Sequence, residues 1–204
     1  MSVQTNKSKL TIKGSTDIVT EFFGYSINSI LFQRGLYPAE SFIPVKKYGL
    51  QMMVTSNPDL AKYLTSVLGQ LSDWIQTGTV QKLVIVITNI DTAQTVERWV
   101  FDIETDKNEV AVSLNKSVAE ISKEIQALLR QVTASVSFLP LLDFPCSFDI
   151  LVYTLTTTNV PNKWEETDAK LIPTEAMNLV KLRSFTTNIH KVETSVAYSM
   201  NTTM

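Results

Sequence analysis

In VKLRSFTTNIHKVETSVAY, residues 180–198, the apolar side chains change phase. Phe185 and Ile189 fall on odd positions, whereas Val192, Val196 and Tyr198 fall on even ones. A strand shows alternate residues to one sheet face, so a slip of one residue turns every side chain over. The stretch therefore predicts two strand pieces or two alternative pairings, and with them a mobile sheet edge. Before it lies VPNKWEETDAKLIPTEAMN, whose Pro161, Pro173 and polar residues argue against a continuous strand or a long helix. It reads as a long tethered loop. Trp164 within it needs a surface to dock against, because its large ring gains little in water.

The rest of the chain predicts a scaffold for that stretch. Leu10 and Ile12 flank Thr11 in LTIKG, a short alternating piece expected to form a weak edge strand that Gly14 ends. Ser15 or Thr16 can then cap a helix over 17–33, with Ile18, Phe22, Phe23, Ile27, Ile30 and Leu31 on one face. A short strand or hairpin is expected around 42–53. Asn57 and Pro58 begin a second helix by capping and by a preset backbone angle, and Leu60, Tyr63, Leu64, Val67, Leu68, Leu71, Trp74 and Ile75 form its stripe. VQKLVIVITNI is apolar at every position from Leu83 to Ile87, as in a central strand covered on both faces. VERWVFDIE alternates and pairs with it as a hairpin. Ser117 and Glu120 match a capping box for a third helix carrying Val118, Ile121, Ile125, Leu128, Leu129 and Val132, which Pro140 ends at the latest. SFDILVYT supplies another strand. Three helices packed on one face of a mainly antiparallel sheet, an α+β single domain, follow from this order.

The bulk composition narrows the chemistry. Lysine and arginine total 18 against 20 acidic residues among 204, so there is no positive field to hold nucleic acid, and no direct nucleic-acid partner is expected. No apolar run is long enough to cross a bilayer, so no membrane partner is expected. The polar start MSVQTNKSK has no secretory h-region. One cysteine, Cys146, excludes an internal disulfide and fits a reducing compartment, cytosol or nucleus. One histidine, His190, excludes a metal site built on two, and no phosphate-binding glycine motif appears. No cofactor is expected. A nucleophilic pair of Cys146 and His190 is formally open, against the reading of Cys146 as a small buried hydrophobe. Asp102 and Glu104 share a strand face, as paired carboxylates could, but their alternation with Trp99, Phe101 and Ile103 fits a solvated face.

Seven separated strings, EFFGYSINSILFQRGLYP, QKLVIVITNI, ERWVFDIE, RQVTASVSFLPLL, CSFDILVYT, KWEE and LRSFTTNIHKV, together resemble the HORMA-domain family, and within it the spindle assembly checkpoint branch. The departures are the first nine residues, the loop over 109–115 and the ending SMNTTM. The resemblance implies a HORMA domain over 14–198, with 155–204 as a C-terminal seat belt and 1–13 as a mobile N-terminal segment. It implies an adaptor, not an enzyme, that switches between open and closed conformers. The belt occupies one sheet edge when open and the opposite edge when closed, and in the closed form it wraps a partner peptide that adds as a strand to the sheet. Leu10 and Ile12 would belong to the amino-terminal strand displaced in that switch. Trp164, Phe185, Ile189, Val192 and Tyr198 would anchor the belt, and Arg130, Gln131 and Phe138 would serve self-association between conformers.

The implied partners are peptide motifs of a coiled-coil kinetochore receptor and of the mitotic activator of the anaphase-promoting complex, which the adaptor would inhibit. An AAA+ remodelling ATPase with its own HORMA adaptor is implied as well, and so is a location in nucleus, kinetochore and cytoplasm. Moving two strand pieces breaks about ten ladder hydrogen bonds at ~1 kcal/mol net each, so the switch should be slow without a template or catalyst. Read from the residues alone, Arg130 and Gln131 are a solvated helix face opposite Leu128, Leu129 and Val132. Another HORMA adaptor, a translesion-polymerase subunit or a meiotic-axis protein, remains the alternative, with a cysteine hydrolase using Cys146 and His190 further off.

Overall fold

The computed structural model describes residues 10–106 and 116–200. The expectations about the first nine residues, the 109–115 loop and the last four residues lie outside this range. The elements run α1 (Ile12–Gln33), β1 (Phe42–Lys47), β2 (Leu50–Thr55), α2 (Pro58–Gln76), β3 (Val80–Asn89), β4 (Thr95–Thr105), α3 (Val118–Ala134), β5 (Cys146–Thr154), β6 (Met177–Lys181), β7 (Phe185–Thr186) and β8 (His190–Ser199).

The local signals explain most helix ends. Asn57 accepts hydrogen bonds from the backbone N–H groups of Asp59 and Leu60, both at 3.0 Å, and so satisfies two donors that the first turn of α2 leaves free. Ser117 and Glu120 form both halves of the capping box that starts α3. β1 and β2 form the expected hairpin, turning at Tyr48 and Gly49, which both have left-handed backbone (φ 50° and 67°). Two such residues give the turn a twist that matches the strands. Tyr48 is held there by its hydroxyl, which donates to Glu21 at 2.5 Å, and by its carbonyl, which accepts from Gln126 at 2.7 Å.

The start of the chain corrects one expectation. LTIKG is not a strand: Thr11 is the N-cap of α1, and Ile12, Lys13 and Gly14 are its first helical residues. The Thr11 hydroxyl oxygen accepts the Gly14 N–H at 3.1 Å, a local bond that a strand could not make. Gly14 ends nothing. A Cβ there would meet a Leu10 methyl at 3.1 Å, so the missing side chain lets Leu10 lie back over the first helical turn. Leu10 thereby packs against the main core, while Ile12 is half exposed.

The large sheet has the order β5-β3-β4-β8-β6, and β7 pairs with β8. Ile85 of β3 lies opposite both Trp99 of β4 and Ile150 of β5, so the central strand is paired on both sides. The side chains of β3 are split between two cores. Leu83, Ile85 and Ile87 join the helices in the main cluster, whereas Val84 and Val86 join Leu151 in a small cluster on the other face. At the centre of the main core Phe22 and Phe23 meet Phe101, and Phe22 meets Phe185 with ring centroids 4.8 Å apart.

The phase change is a chain reversal. β7 and β8 are antiparallel with Phe185 opposite Val192 and Thr186 opposite Lys191, so the chain turns over 187–190. Cross-strand partners share a face. Phe185 and Val192 therefore both point into the core, at 1% and 0% exposure, although one is odd-numbered and the other even.

Candidate functional site

The two edges of the large sheet are not equivalent. β5 is paired on one side only, with β3, and among the described residues no strand covers its other edge. The chain leaves β5 at Leu155, whose N–H donates to the Thr79 carbonyl at 2.8 Å, and returns at β6 on the opposite edge of the sheet. Segment 155–176 thus has to pass from one edge to the other. It contains one short 3-10 turn, Thr174–Ala176, and otherwise neither helix nor strand.

Two contacts tie this crossing segment near β5. Trp164 packs on Trp74 of α2 with ring centroids 5.0 Å apart, which supplies the docking surface the sequence demands. Lys170 donates to the Asp149 carboxylate of β5 at 2.6 Å. Lys170 has left-handed backbone (φ 43°), supported by its own N–H donating to the Asp168 carboxylate at 3.2 Å. Further on, Ile172 and Ala176 are buried, whereas Val160 and Leu171 are exposed.

Side chains beside the open edge differ by face. On the helix side, Phe148 makes edge contacts with Tyr37 at 6.2 Å and Tyr63 at 6.1 Å, and Tyr63 is 42% exposed. On the other side stand Asp149 and, two and four residues on, Leu151 and Tyr153 of the small cluster. A strand added beside β5 would meet an aromatic surface on one face and a carboxylate on the other.

The end of the chain is held by α3. Gln131 accepts the Arg183 N–H at 2.7 Å, Glu124 accepts the Thr186 N–H at 3.0 Å, and the Asn188 side chain accepts the Lys116 N–H at 3.1 Å. The Lys116 ammonium bridges Glu124 and the Thr186 hydroxyl. Gln131 is therefore not simply a solvated residue. Arg130, next to it, is exposed. Phe138, just after α3, is 41% exposed and lies 6.5 Å from Tyr198. Tyr198 pairs with Asn178 and is half-buried, as is Ile189, whose carbonyl accepts the Asp106 N–H at 2.8 Å.

Sequence reasoning missed a buried ion pair. Arg34, at the end of α1, bonds Glu97 of β4, and Glu97 also accepts from the Trp99 indole at 3.2 Å. Arg34 donates besides to the Pro140 carbonyl at 2.5 Å. Burial pushes the Glu97 carboxyl up, against the pull of Arg34. The alternation in ERWVFDIE does place Glu97 with Trp99 and Phe101. A charged residue on the apolar face was the available signal.

Cys146 and His190 are not brought together. Cys146 lies opposite Asn89 at one end of the sheet and His190 opposite Thr105 at the other, with two strands between β5 and β8. Ten residues along β4 amount to about 33 Å. Burial pushes the Cys146 thiol up, away from the reactive thiolate. Among the described residues no group of three or more His, Cys, Asp or Glu side chains is placed to hold a metal ion, and no helix is long and apolar enough to cross a membrane.

The comparisons with known proteins agree with this architecture. The HORMA domain matches residues 15–190. The chain is 57% identical to the mitotic spindle assembly checkpoint protein MAD2A of Dictyostelium discoideum, covering 96% of each chain. It is 49% identical to the MAD2A of Homo sapiens, covering 98% of each. Among solved structures, a chain in the crystal structure of the mitotic checkpoint complex superposes with a TM-score of 0.84 at 41% identity, over 92% of this chain and 99% of that one. Relatives of this identity and coverage, three helices on a mainly antiparallel sheet, and a match over most of the sequence place the chain in the HORMA-domain family.

Proposed function

We propose that the chain is a spindle-checkpoint adaptor that captures a short extended segment of a partner as an added strand on the open edge of β5. Residues 155–204 act as the seat belt. The observation that carries this reading is the path of the chain: it leaves β5, passes the open edge where Lys170 and Trp164 tie it down, and ends in strands on the far edge. Strand addition supplies main-chain hydrogen bonds, and the segment outside it opposes escape. We take β8 on β4, with Ile12 in a helix and not in an amino-terminal strand, as the closed arrangement of the switch; the displaced start of the chain supports that reading.

In this reading Phe185 and Val192 root the belt in the core, Ile189 and Tyr198 support its strands, and Trp164 with Lys170 holds the crossing segment over the ligand. Arg130 and Phe138 are available for contact with a second copy in the other conformer. The partners are peptide motifs of a kinetochore receptor and of the activator of the anaphase-promoting complex, whose inhibition is the output. An AAA+ ATPase with a HORMA adaptor resets the switch. The work is done in the nucleus, at kinetochores and in the cytoplasm, and it needs no catalytic residue or cofactor. The checkpoint relatives favour this over a polymerase-subunit or meiotic-axis role.

The test is the dissociation rate of a labelled activator peptide, measured by surface plasmon resonance on wild type and on Trp164→Ala. Faster release from a folded variant supports the belt. Unchanged slow release contradicts it.

A further inference from the structure

A buried polar cluster lies away from the β5 edge, where the first turns of α1 meet the β7–β8 turn. Ser15, Thr187 and His190 are 0%, 7% and 1% exposed. The Ser15 hydroxyl is 2.7 Å from that of Thr187 and 2.6 Å from His190 Nδ1. The Thr187 oxygen accepts the N–H groups of His190 at 2.7 Å and Ile189 at 3.1 Å.

Proton count and distance together point to one arrangement. A hydroxyl has two lone pairs and one proton. Two N–H donors fill the lone pairs of Thr187, so its one proton goes to Ser15 at 2.7 Å in preference to the His190 carbonyl, the longer contact at 3.1 Å. Ser15 then accepts from Thr187 and gives its own proton to His190 Nδ1. Nδ1 is therefore an acceptor and the imidazole is neutral, with its proton on Nε2. Nε2 is buried without an ordinary hydrogen-bond partner among the described residues, and the Ile75 carbonyl at the end of α2 is the group that favours a proton on the ring.

We infer that Ser15, Thr187 and His190 form a latch coupling the start of α1 to the carboxyl-terminal hairpin, satisfied only while both ends of the chain hold their present positions. The inference rests on the adaptor reading only in taking that hairpin as part of the belt. If the hairpin leaves, Ser15 loses both partners inside the core. If α1 unwinds at its start, His190 Nδ1 loses its partner and the Thr187 hydroxyl is left with the longer contact to the His190 carbonyl. A pull on either end is thereby transmitted to the other, although 175 residues separate Ser15 from His190.

The latch also responds to acid. The charged side chains on the segments around it are Lys13 and Asp17 of α1, Asp73 of α2, Glu104 of β4 and Asp106 beyond it, Lys116 before α3, and Lys191 of β8. None of them sets the preference of the ring: burial lowers its pKa and only the Ile75 carbonyl opposes. A proton on Nδ1 would meet the Ser15 proton head-on. Because the folded value is lowered, the stabilisation is complete above the free imidazole value of about 6.5 and is lost as pH falls below it towards the folded value.

His190 is the single histidine of the chain, so its ring nitrogens can be read by NMR without overlap. The experiment records the tautomer, and with it amide exchange at the His190 N–H and in the first turns of α1, in wild type, Ser15→Ala, Thr187→Val, Thr187→Ser and the Ser15→Ala/Thr187→Val double variant. The expected result is the Nε2–H form, with exchange at the His190 amide about tenfold faster in Ser15→Ala, the scale of one net hydrogen bond. Thr187→Val should loosen the α1 turns and Thr187→Ser restore them. The double variant should be less disturbed than the sum of the two single changes. A protonated Nδ1 at neutral pH, or exchange at each end that answers only to its own substitution, overturns the latch. Should Thr187→Val not fold, the tautomer and the Ser15→Ala effect at His190 decide. No peptide is present, so failure of peptide capture would sink the adaptor reading and leave this result standing.

Discussion

Asp149 of β5 and Lys170 of the crossing segment meet at 2.6 Å, joining the open sheet edge to the chain that passes outside it. Both side chains are partly exposed, at 45% and 30%. Such a pair contributes little to global stability, within about 1 kcal/mol. Its worth lies in position. We predict that Lys170→Ala leaves the denaturation midpoint almost unchanged and speeds peptide release several-fold, about 1 kcal/mol in the barrier. Chemical denaturation and surface plasmon resonance on the same preparation check both halves.

The Arg34–Glu97 pair behaves in the opposite way. Its side chains are 4% and 1% exposed, so Arg34→Leu leaves a buried carboxylate without its cation and should cost about 3–5 kcal/mol at neutral pH. Glu97 already has a pKa above its ordinary 4.5, and the variant raises it further. A carboxyl with a raised folded pKa favours the fold fully below its unfolded value, and that contribution is lost as pH rises through the folded value. The deficit of Arg34→Leu against wild type should therefore shrink as pH falls from neutral towards 4.5. Urea titrations across that range measure it.

Arg130 and Gln131 are neighbours with different duties. We predict that Arg130→Glu weakens self-association and leaves peptide release alone, because the side chain is exposed. Gln131→Ala should alter both, since Gln131 also accepts the Arg183 N–H just before β7. Sedimentation velocity paired with peptide release separates the two effects.

Cys146 is half-buried, with its Sγ 3.5 Å from the Phe144 carbonyl. Cys146→Ala should cost about 1 kcal/mol of stability through lost packing and leave peptide binding unchanged. Thermal unfolding and a binding isotherm check this; lost binding with an intact fold would reopen a chemical role for the thiol.

Helix stripes, the Asn57 cap, the Ser117–Glu120 box and the apolar run of β3 were legible because each is a local rule acting within one turn or one strand. The break between Ile189 and Val192 was legible as two strand pieces for the same reason. LTIKG misled because two alternating apolar residues are too few to outweigh a Thr cap and a glycine that makes room for Leu10. Lys170–Asp149, Gln131–Arg183 and Ser15–His190 were not legible. Each joins positions 21 to 175 residues apart, and single polar residues carry no periodicity that would pair them. The main-chain role of Thr187 was hidden as well, since a threonine in a turn looks like any other. Cutting the chain before Lys181 would remove Phe185, Val192 and Val196 from the core beside Phe22, so point changes probe the belt better than truncation does.

The open edge of β5 is the centre of this account, and amide exchange across the sheet tests it most directly. Each N–H of β5 that points away from β3 is followed by NMR with and without saturating activator peptide, beside the outward N–H groups of β6, the other edge. Strong new protection of the outward β5 amides, and none along β6, is the expected result. Protection along β6, or binding that leaves the β5 amides exchanging as before, would contradict it.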